Sequence, residues 1–359
     1  MRILVTGGAG FIGSALARYL VAALDWPCLV VDKLTYAANL RALEPIQYND
    51  VFSWVQADIC DAPSMRKLLY NFQPDAILHL AAESHVDRSI DDSADFIQTN
   101  VVGTHTLLTE TLSWWKQQGS PNQFRFLHVS TDEVYGSLHM GEPAFQPSSP
   151  YRPNSPYSAS KAASDHLVRA WNRTYGLPTL ITHCSNNYGE FQHQEKLIPT
   201  VIRTALSGQS IPIYGDGRNR RDWLYVGDHV EALIHVLRHG QPGSTYMIGG
   251  GEELSNLDLV HAICSLLDEH SPRTDSHSYS EQISFVEDRL GHDFRYAIDT
   301  RQLWDELGWR ARTPFAQAIL RTILWYQGEY NEGHHFGRRQ RDSSLSSDTC
   351  TKQAASTRL

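Results

Sequence analysis

Short apolar runs alternate with stretches of helical periodicity over the first 185 residues of the chain. The runs are rich in β-branched residues and predict strands at Arg2–Thr6, Cys28–Asp32, Val51–Ala57, Ala76–Leu80, Phe124–Ser130 and Thr179–His183. The intervening stretches predict helices that include Phe11–Leu24, Pro63–Asn71, Ala94–Gln118 and Tyr157–Tyr175. Strands that are apolar on both faces and separated by helices predict an α/β fold, a Rossmann-type doubly wound parallel sheet.

The pattern changes after about Asn186, where Gly, Pro and charged residues become more frequent and apolar runs become shorter. The stretch Tyr225–Arg238 has the periodicity of a helix that returns to the first unit. We therefore expect two interleaved domains. Residues 1–185 form the first, with 225–250 returning to it, and residues 186–224 and 251–335 form a smaller α/β domain.

Three further segments have no periodicity. Residues 137–156 contain five prolines after a strand, which predicts a loop that forms part of the wall of a site. The tail at 338–359 has no aromatic residue and too little apolar surface to offset the entropy lost on ordering, so we expect it to be disordered. The pair His334–His335 lacks partner ligands at metal-binding spacing, so we predict a solvated loop there and no metal site.

Composition narrows the class of protein. Of the 359 residues, 41% are apolar, which is enough for a packed core. Asp and Glu number 40 against 31 Lys and Arg, and the net charge of -9 argues against a nucleic-acid partner. A small anionic ligand held by a few basic groups remains possible. No apolar run approaches the ~18 residues of a membrane span, so we expect no membrane partner.

The cysteines and the N-terminus predict a cytoplasmic protein. The five cysteines, at 28, 60, 184, 264 and 350, are scattered and form no C-x-x-C pair. This argues against a disulfide framework and a zinc ribbon, and it fits a reducing compartment. Glycines interrupt the opening M-R-I-L-V-T-G-G-A-G-F-I-G too early for the apolar region of a signal peptide.

A glycine-rich turn joins the first strand to the first helix. It reads T-G-G-A-G-F-I-G and contains Gly7, Gly8, Gly10 and Gly13. The last three match G-x-G-x-x-G, and the turn also matches the wider G-x-x-G-x-x-G spacing. Glycines allow the tight turn and let backbone N–H groups approach a pyrophosphate at the helix N-terminus. Between a strand and a helix, this motif predicts a dinucleotide-binding site.

An acid ends the second strand, and another ends the third. Asp32 lies nineteen residues after Gly13, where a carboxylate can bind the ribose 2′-hydroxyl and repel a 2′-phosphate. We therefore predict NAD rather than NADP, although Lys33 beside it weakens that argument and Asp32 could also be a turn residue. Asp58 could bind the adenine amino group or cap the following helix, and the residues leave both readings open.

Two motifs carry candidate chemistry. Tyr157 and Lys161 share a helix face at i and i+4, where an ammonium, helped by a nicotinamide cation, favours a phenolate. An exposed helix pair is the alternative. Asp132 and Glu133 follow the fifth strand in S-T-D-E-V-Y-G, at the edge where parallel sheets bind ligands. They could serve as an acid and a base if their environments differ, or form a solvated acidic turn.

The motifs together resemble a known superfamily. The glycine turn, L-A-A-E-S at 80–84, T-N-V-V-G-T at 99–104 and Y-S-A-S-K resemble the extended short-chain dehydrogenases/reductases. S-T-D-E-V-Y-G is similar to the signature of the dTDP-glucose 4,6-dehydratase family, in which Thr, Asp and Glu act together. Similar blocks extend the resemblance over about residues 1–330. The chain departs from the family pattern at Ala38, Glu190–Gln194 and Leu290, near the expected substrate cleft.

The resemblance implies an NAD-dependent hydro-lyase that acts on a nucleotide sugar in deoxysugar biosynthesis. It implies that residues 1–185 bind NAD, that the second domain binds the sugar nucleotide, and that helices 94–118 and 157–175 form a homodimer. The implied catalytic residues are Thr131, Asp132, Glu133, Tyr157 and Lys161. The implied cofactor contacts are Tyr157 and Lys161, together with Gly7, Gly10, Phe11, Ile12, Gly13, Asp32, Lys33, Thr35, Asp58, Ile59, Ala81, Ala82, Ser84 and Thr99. The implied substrate contacts are Ser84, Thr131, Asn187, Lys196, Leu197, Arg221, Asn256, Arg289 and His292.

The family reaction assigns one step to each catalytic group. Tyr157 removes the sugar 4-hydroxyl proton while a hydride passes to NAD, and Thr131 holds that hydroxyl. Glu133 then takes the C5 proton, and Asp132 protonates the C6 hydroxyl as it leaves as water. The hydride finally returns to C6 and a proton returns to C5. Rival functions are a nucleotide-sugar 4-epimerase, which would not need the acid pair, and a dehydratase for UDP- or GDP-sugars, since these residue types do not specify the base. A silent NAD-binding regulator would not need all four of Asp132, Glu133, Tyr157 and Lys161.

Overall fold

A computed structural model of the chain describes residues 1–288 and 290–332. Arg289, residues 333–335 of the second domain, the pair His334–His335 and the tail at 338–359 lie outside the described residues, so the expectations for them stay predictions. The strands are β1 (Ile3–Thr6), β2 (Cys28–Asp32), β3 (Phe52–Gln56), β4 (Ala76–His79), β5 (Arg125–Thr131), β6 (Thr179–Cys184), β7 (Asn186–Tyr188), β8 (Ile211–Tyr214), β9 (Arg220–Tyr225), β10 (Thr245–Ile248), β11 (Glu253–Ser255) and β12 (Ile283–Val286).

The α-helices are α1 (Phe11–Arg18), α2 (Ala62–Phe72), α3 (Val86–Asp91), α4 (Ala94–Phe96), α5 (Thr104–Gln117), α6 (Pro156–Tyr175), α7 (Leu197–Leu206), α8 (Val226–His239), α9 (Asn256–His270), α10 (Arg301–Leu307) and α11 (Phe315–Asn331). Wider π-helical turns extend α1 through Tyr19–Ala23 and join α4 to α5 through Ile97–Gly103. Tighter 3₁₀ turns lie at Leu40–Ile46, Asp132–Tyr135 and Tyr279–Gln282.

The core of the fold is a seven-stranded parallel sheet in the order β10-β6-β5-β4-β1-β2-β3. β1, β4 and β6 are buried along their whole length, as their continuous apolar runs predicted. The predicted α/β fold with a Rossmann-type sheet is confirmed. β10 follows α8 and pairs with β6, with Thr245 opposite Ile181, so a distant part of the chain completes this sheet.

Two small sheets lie beyond β6 in sequence. One has the order β11-β9-β7 and the other pairs β12 with β8. Their apolar side chains pack with α7, α9 and α11 in a second core that includes Val201, Ile263 and Ile319. The boundary between the predicted domains stays a prediction.

The structure differs from the predicted helix Ala94–Gln118 in one respect. The helical run is continuous, but residues 97–103 form a π-helical segment. Apolar periodicity does not distinguish a π turn from an α turn over so short a stretch, and such turns are frequent at functional sites. Over residues 1–288 and 290–332, every helix is too short or too polar to span a membrane.

Candidate active site

A cavity of ≈ 300 Å³ opens at the carboxyl edge of the seven-stranded sheet. Its walls include Gly7 after β1, Asp32 at the end of β2, Ala81 after β4, Thr131 at the end of β5 and Cys184 at the end of β6. In a parallel sheet these strand ends lie on one side, so residues distant in sequence converge there.

The glycine turn is packed so closely against its neighbours that side chains would not fit at two of its positions. Gly7 has a φ of +70°, and a Cβ added to it would lie 2.6 Å from the Ala81 backbone nitrogen. A Cβ added to Gly13 would lie 2.2 Å from the Gly7 carbonyl oxygen. Because α1 begins at Phe11, directly after this turn, the N–H groups of its first turn are available to an anion. The turn therefore fits the pyrophosphate of a dinucleotide.

The surroundings of Asp32 suit the ribose of NAD. The Ala9 amide donates to one carboxylate oxygen (3.0 Å) and the Leu34 amide donates to the other (2.8 Å), which fixes the side chain at the cavity wall. The Lys33 ammonium donates to the Thr99 hydroxyl (2.7 Å) and lies 3.4 Å from a Glu83 carboxylate oxygen. Since Glu83 compensates this positive charge, Lys33 does not offset the preference of Asp32 for an unphosphorylated ribose.

The other residues expected to contact the cofactor also line the cavity. They are Gly10, Phe11, Ile12, Thr35, Asp58, Ile59, Ala81, Ala82, Ser84 and Thr99. The helix-capping alternative for Asp58 is wrong, because α2 is capped by Asp61, whose side chain accepts from the Ser64 amide. Asp58 instead accepts from the Cys60 amide (2.8 Å) and faces the cavity.

The start of α6 places the Tyr–Lys pair in the same cavity. Ser155 caps the helix in a reciprocal box with Ser158, so Tyr157 lies in the first turn. Tyr157 and Lys161 are 8% and 3% exposed, which excludes an exposed helix pair. The Lys161 ammonium donates to the Val129 carbonyl at 2.9 Å.

The electrostatics of this pair differ in one respect from the expectation. Burial, followed by the negative charge of Glu133, raises the pKa of Tyr157 well above its ordinary value, and the Thr131 hydroxyl opposes the shift. Burial also lowers the pKa of Lys161. The ammonium alone therefore does not make Tyr157 a base at neutral pH. The cation of a bound nicotinamide is the second positive charge that the expected phenolate requires.

The two acids at the end of β5 have different environments. Asp132 is 2% exposed, whereas Glu133 is only partly buried. Burial, then the charges of Glu133 and Asp222, raise the pKa of Asp132 well above its ordinary value. This shift favours the protonated form of Asp132, which is the form that can donate a proton. Its burial excludes the solvated acidic turn as an explanation for this residue.

The expected substrate contacts divide into two groups. Ser84, Thr131, Asn187 and Lys196 line the cavity, and the Lys196 ammonium donates to the Ser84 carbonyl at 3.4 Å. Among the described residues, the other expected contacts, Leu197, Arg221, Asn256 and His292, lie outside the cavity wall. Their role in binding the nucleotide stays a prediction.

Among the expected substrate contacts, Arg221 is the one whose surroundings differ most from those expected of a phosphate-binding residue. Its guanidinium is 4% exposed and donates to the carbonyls of Asp293 (2.8 Å) and Phe294 (3.2 Å). It also stacks on the Tyr296 ring, 4.3 Å from the ring centroid. Its positive charge lowers the pKa of Asp132, opposing the effect of burial, so Arg221 acts electrostatically on the acid site.

Asn100 is a buried residue of the site that the sequence argument missed. Its side-chain amide donates to the Glu83 carbonyl (3.0 Å) and to the Ser160 hydroxyl (2.8 Å). Its amide oxygen accepts from the Glu83 backbone nitrogen at 2.9 Å. These bonds fix the segment after β4 against α6. The T-N-V-V-G-T block contains Asn100, and its polar residues inside an apolar helical stretch are the signal that could have identified it.

The rim of the cavity carries a second group that was not expected, which we call the rim cluster: Tyr36, His85, Arg88, His193 and Glu195. Glu195 is central, with its carboxylate 3.2 Å from His85 Nε2 and 3.6 Å from His193 Nδ1. Its other oxygen is 3.5 Å from the Arg88 guanidinium, which stacks on the Tyr36 ring at 3.5 Å. The cluster connects the segment after β2, helix α3 and the segment before α7.

Some of the departures from the family pattern lie at the cavity, and others do not. Ala38 and His193 line the cavity, and His193 belongs to the rim cluster. Leu290 is a largely exposed side chain. Ala38 and His193 are therefore the departures in contact with the cavity, while the acids at the end of β5 and the Tyr–Lys pair match the family pattern.

Comparison with known proteins agrees with this geometry. Residues 4–322 match the family model described as GDP-mannose 4,6 dehydratase. The dTDP-glucose 4,6-dehydratase of Haemophilus influenzae is 52% identical over 330 residues, which are 91% of this chain and 98% of that protein. The dTDP-glucose 4,6-dehydratase 1 of Escherichia coli K12 is 53% identical over 91% of this chain and 92% of its own length.

A solved structure extends the similarity to the fold and its ligands. The dTDP-glucose 4,6-dehydratase of Streptomyces venezuelae, crystallised with NAD and dTDP, superposes with a TM-score of 0.83. It is 44% identical in sequence, and the match covers 92% of this chain and 98% of that one.

Proposed function

The chain belongs to the dTDP-glucose 4,6-dehydratase family, NAD-dependent hydro-lyases of the extended short-chain dehydrogenase/reductase superfamily, and we propose that its own cavity residues convert dTDP-glucose to dTDP-4-keto-6-deoxy-glucose. One observation carries the assignment of residues. A buried acid with a raised pKa, Asp132, stands beside the less buried acid Glu133 in the cavity that contains Tyr157 and the glycine turn.

Tyr157 and Thr131 act on the sugar 4-hydroxyl. NAD, when bound, accepts a hydride and later returns it, so it is not consumed. Tyr157 removes the hydroxyl proton, and Thr131 holds the same hydroxyl from the end of β5. Lys161 lies one helical turn from Tyr157 and stabilises the phenolate by its charge. Because both side chains of the pair are buried, water does not screen this interaction.

The acid pair then removes water across C5 and C6. A ketone at C4 acidifies the C5 proton, and Glu133 takes that proton as the base. Asp132 gives its proton to the C6 hydroxyl, which leaves as water. The product is complete when C6 receives the hydride and a proton returns to C5. The different environments of the two acids support these opposite roles. Burial raises the pKa of Asp132 and so favours its protonated form, whereas Glu133 is more exposed.

Contacts with the nucleotide are proposed at the other end of the cavity. Lys196 and Asn187 line the wall formed by the segments after β6, which supports a contact with the diphosphate of the nucleotide. We assign the nucleotide to residues 186–224 and 251–332 and the cofactor to residues 1–185 with 225–250. The contrast between one large parallel sheet and two small sheets supports that division.

We also propose a cytoplasmic homodimer. The helical run from α4 to α5 and helix α6 expose the large apolar side chains of Ile97, Val102 and Tyr175, which supports a contact with a second copy. The four cysteines within the described part of the chain are unpaired, which supports a reducing compartment. Light scattering that gave the monomer mass across the working concentration range would contradict the dimer.

The reaction and the base can be tested together. Purified protein is incubated separately with dTDP-glucose, UDP-glucose and GDP-mannose, and the products are weighed by mass spectrometry. We expect the loss of one water from dTDP-glucose alone. Water loss from another sugar nucleotide would contradict the base assignment, and a change of retention without a change of mass would indicate an epimerase. Absence of any reaction would contradict the proposed activity.

A further inference from the structure

A third ionisable residue lies on the helix face that carries the Tyr–Lys pair. Asp165 follows Lys161 by one helical turn and Tyr157 by two, and it is 0% exposed. A buried carboxylate is costly unless charged or hydrogen-bonding groups compensate it. The proposed reaction uses Tyr157 and Lys161 but gives no role to Asp165.

Side chains from three segments hold Asp165 in place. His183 on β6 donates through Nε2 to one carboxylate oxygen at 2.8 Å, and the Tyr151 hydroxyl donates to the same oxygen at 2.9 Å. His128 on β5 places Nε2 3.2 Å from the other oxygen. We call Asp165, His128, His183 and Tyr151 the Asp165 cluster. Its first three members are each at most 1% exposed, so it is fixed inside the protein.

The cluster also reaches the turn that carries the acids. The Tyr135 hydroxyl hydrogen-bonds His183 Nδ1 at 2.8 Å, and Tyr135 ends the 3₁₀ turn that begins at Asp132. The Asp165 carboxylate is therefore fixed relative to both sides of the active site. A geometry this well defined is what a stable electrostatic influence on a catalytic group requires.

The pKa shifts of Lys161, His128 and Asp165 show how the charges around the Asp165 cluster balance. Burial lowers the pKa of Lys161, and Asp165 is the first of the groups that raise it again. Burial, then the charge of Lys161, lowers the pKa of His128 to about 4, so this imidazole is neutral at pH 7. Hydrogen bonds and the charge of His183 outweigh burial and hold the pKa of Asp165 well below its ordinary value, so the carboxylate is ionised.

The titratable groups around Lys161 and Asp165 include members of the Asp165 cluster and further groups on α6 and on the elements packed against it. They are His79 on β4, His128 on β5, His183 and Cys184 on β6, Asp132, Glu133 and Tyr135 on the 3₁₀ turn, Tyr151 in the loop after it, and Tyr157 and Arg169 on α6 itself. The raised pKa of Asp132 favours its protonated form, and Glu133 lies on the side of Tyr157, where its negative charge raises the pKa of the phenol.

We propose that Asp165 is a positioning residue, the buried counter-ion that keeps Lys161 protonated beside Tyr157. Asp165 does not touch the reacting atoms, and its effect passes through the ammonium to the phenol. The inference rests on the proposed function, because the oxidation of the sugar at C4 is where a protonated Lys161 matters.

The first test is the pH profile of C4 oxidation in Asp165→Asn, a nearly isosteric change. Without the anion, burial lowers the pKa of Lys161 further, because the largest of the groups that oppose it is gone. The ammonium is then lost, and the pKa of Tyr157 rises further. We expect the acid limb of the rate of bound NADH formation from dTDP-glucose, measured by stopped flow, to move up by about one pH unit or more. The rate at pH 7 should fall about tenfold or more, and the gap to wild type should narrow as the pH rises.

A matched control separates this effect from the general loss of a buried carboxylate. Glu110 on α5 is 6% exposed and pairs with Arg66 at 2.8 Å. Glu110→Gln should lose stability without moving the acid limb. An unshifted profile in Asp165→Asn, or an equal shift in both variants, would overturn the proposal. If wild type itself failed to oxidise dTDP-glucose, the proposed function would fail instead.

A stability cycle tests the charge relationship independently of activity. Thermal unfolding is measured for Lys161→Met, Asp165→Asn and the double variant. Removing one charge takes away one of the groups that compensate the other buried charge, whereas removing both relieves this cost. We expect the double variant to melt at a higher temperature than Lys161→Met, and also above Asp165→Asn if that variant folds. A double variant no more stable than Lys161→Met would overturn the proposal whether or not Asp165→Asn folds.

Discussion

Two carboxylates in this protein each lie between two histidines, one beneath the cavity and one at its rim. Asp165 is 0% exposed between His128 and His183, whereas the Glu195 side chain is 33% exposed between His85 and His193. Both groups are a carboxylate between two imidazoles, and burial lowers the pKa of the histidines in each, to about 4 for the fully buried His128. Burial therefore decides whether such a group alters proton chemistry or makes an ordinary surface contact.

The physical reason lies in the surrounding dielectric. Charges inside the protein interact strongly and are poorly screened by salt, whereas partly exposed pairs contribute about 0–1 kcal/mol and weaken as ionic strength rises. We therefore expect substitutions in the buried cluster behind the cavity to affect the proposed reaction and the stability of the fold more than substitutions at the rim. Three measurements test this distinction, from the largest expected effect to the smallest.

The largest effect is expected for Asp132, the buried acid at the end of β5. Asp132→Asn removes the proton that the C6 hydroxyl needs, so water loss should slow by about 10²–10⁴-fold while C4 oxidation continues. Bound NADH should then accumulate, which absorbance detects in a single turnover. Tyr157→Phe is the control and should block the first hydride transfer, so no NADH forms. Equal loss of oxidation in both variants would contradict the separate roles.

The second largest effect is a loss of folding stability at acid pH, which the protonation of His128 causes. Its pKa is about 4 in the folded protein and about 6.5 when unfolded, so the unfolded chain binds the additional proton between these values. The contribution of His128 to the free energy of unfolding is fully present above pH 6.5. It is lost as the pH drops towards 4, by roughly 3 kcal/mol.

Denaturant unfolding between pH 4 and 7 measures this slope. His128→Gln should flatten it, although His229, whose pKa burial lowers to about 3, retains its own contribution. The matching rim variant His193→Gln should leave the slope close to that of wild type. A slope unchanged in His128→Gln would show that this buried histidine does not titrate as the structure indicates.

The smallest effect is expected for Glu195→Gln. This change removes the charge at the centre of the rim cluster, where the contacts are 3.2–3.6 Å long and partly exposed. We expect a loss of at most about 1 kcal/mol in unfolding free energy, which disappears at high salt. Thermal unfolding in low and high salt measures it. A large loss that persists in salt would mean that the rim acts like the buried cluster.

The sequence predicted the features that depend on local pattern. The strands of the large sheet follow from continuous apolar runs, and the glycine turn and Asp32 follow from their spacing. Asp165 has the same helical spacing from Lys161 as Lys161 has from Tyr157, but its meaning depends on His128 and His183, which reach it only when β5 and β6 pair. The rim cluster combines three segments distant in sequence, so no local pattern could indicate it.

The position of β10 has a consequence for the order in which the protein is made. β6 ends at Cys184, but its outer neighbour begins only at Thr245, about 60 residues later. At roughly 5–20 residues per second, a ribosome takes several seconds to supply that neighbour. During this interval the backbone groups along one side of β6 have no partner strand, and an unpaired edge of this kind invites wrong pairing with other chains. The nascent chain is therefore most vulnerable to aggregation after β6 has emerged and before α8 and β10 follow it.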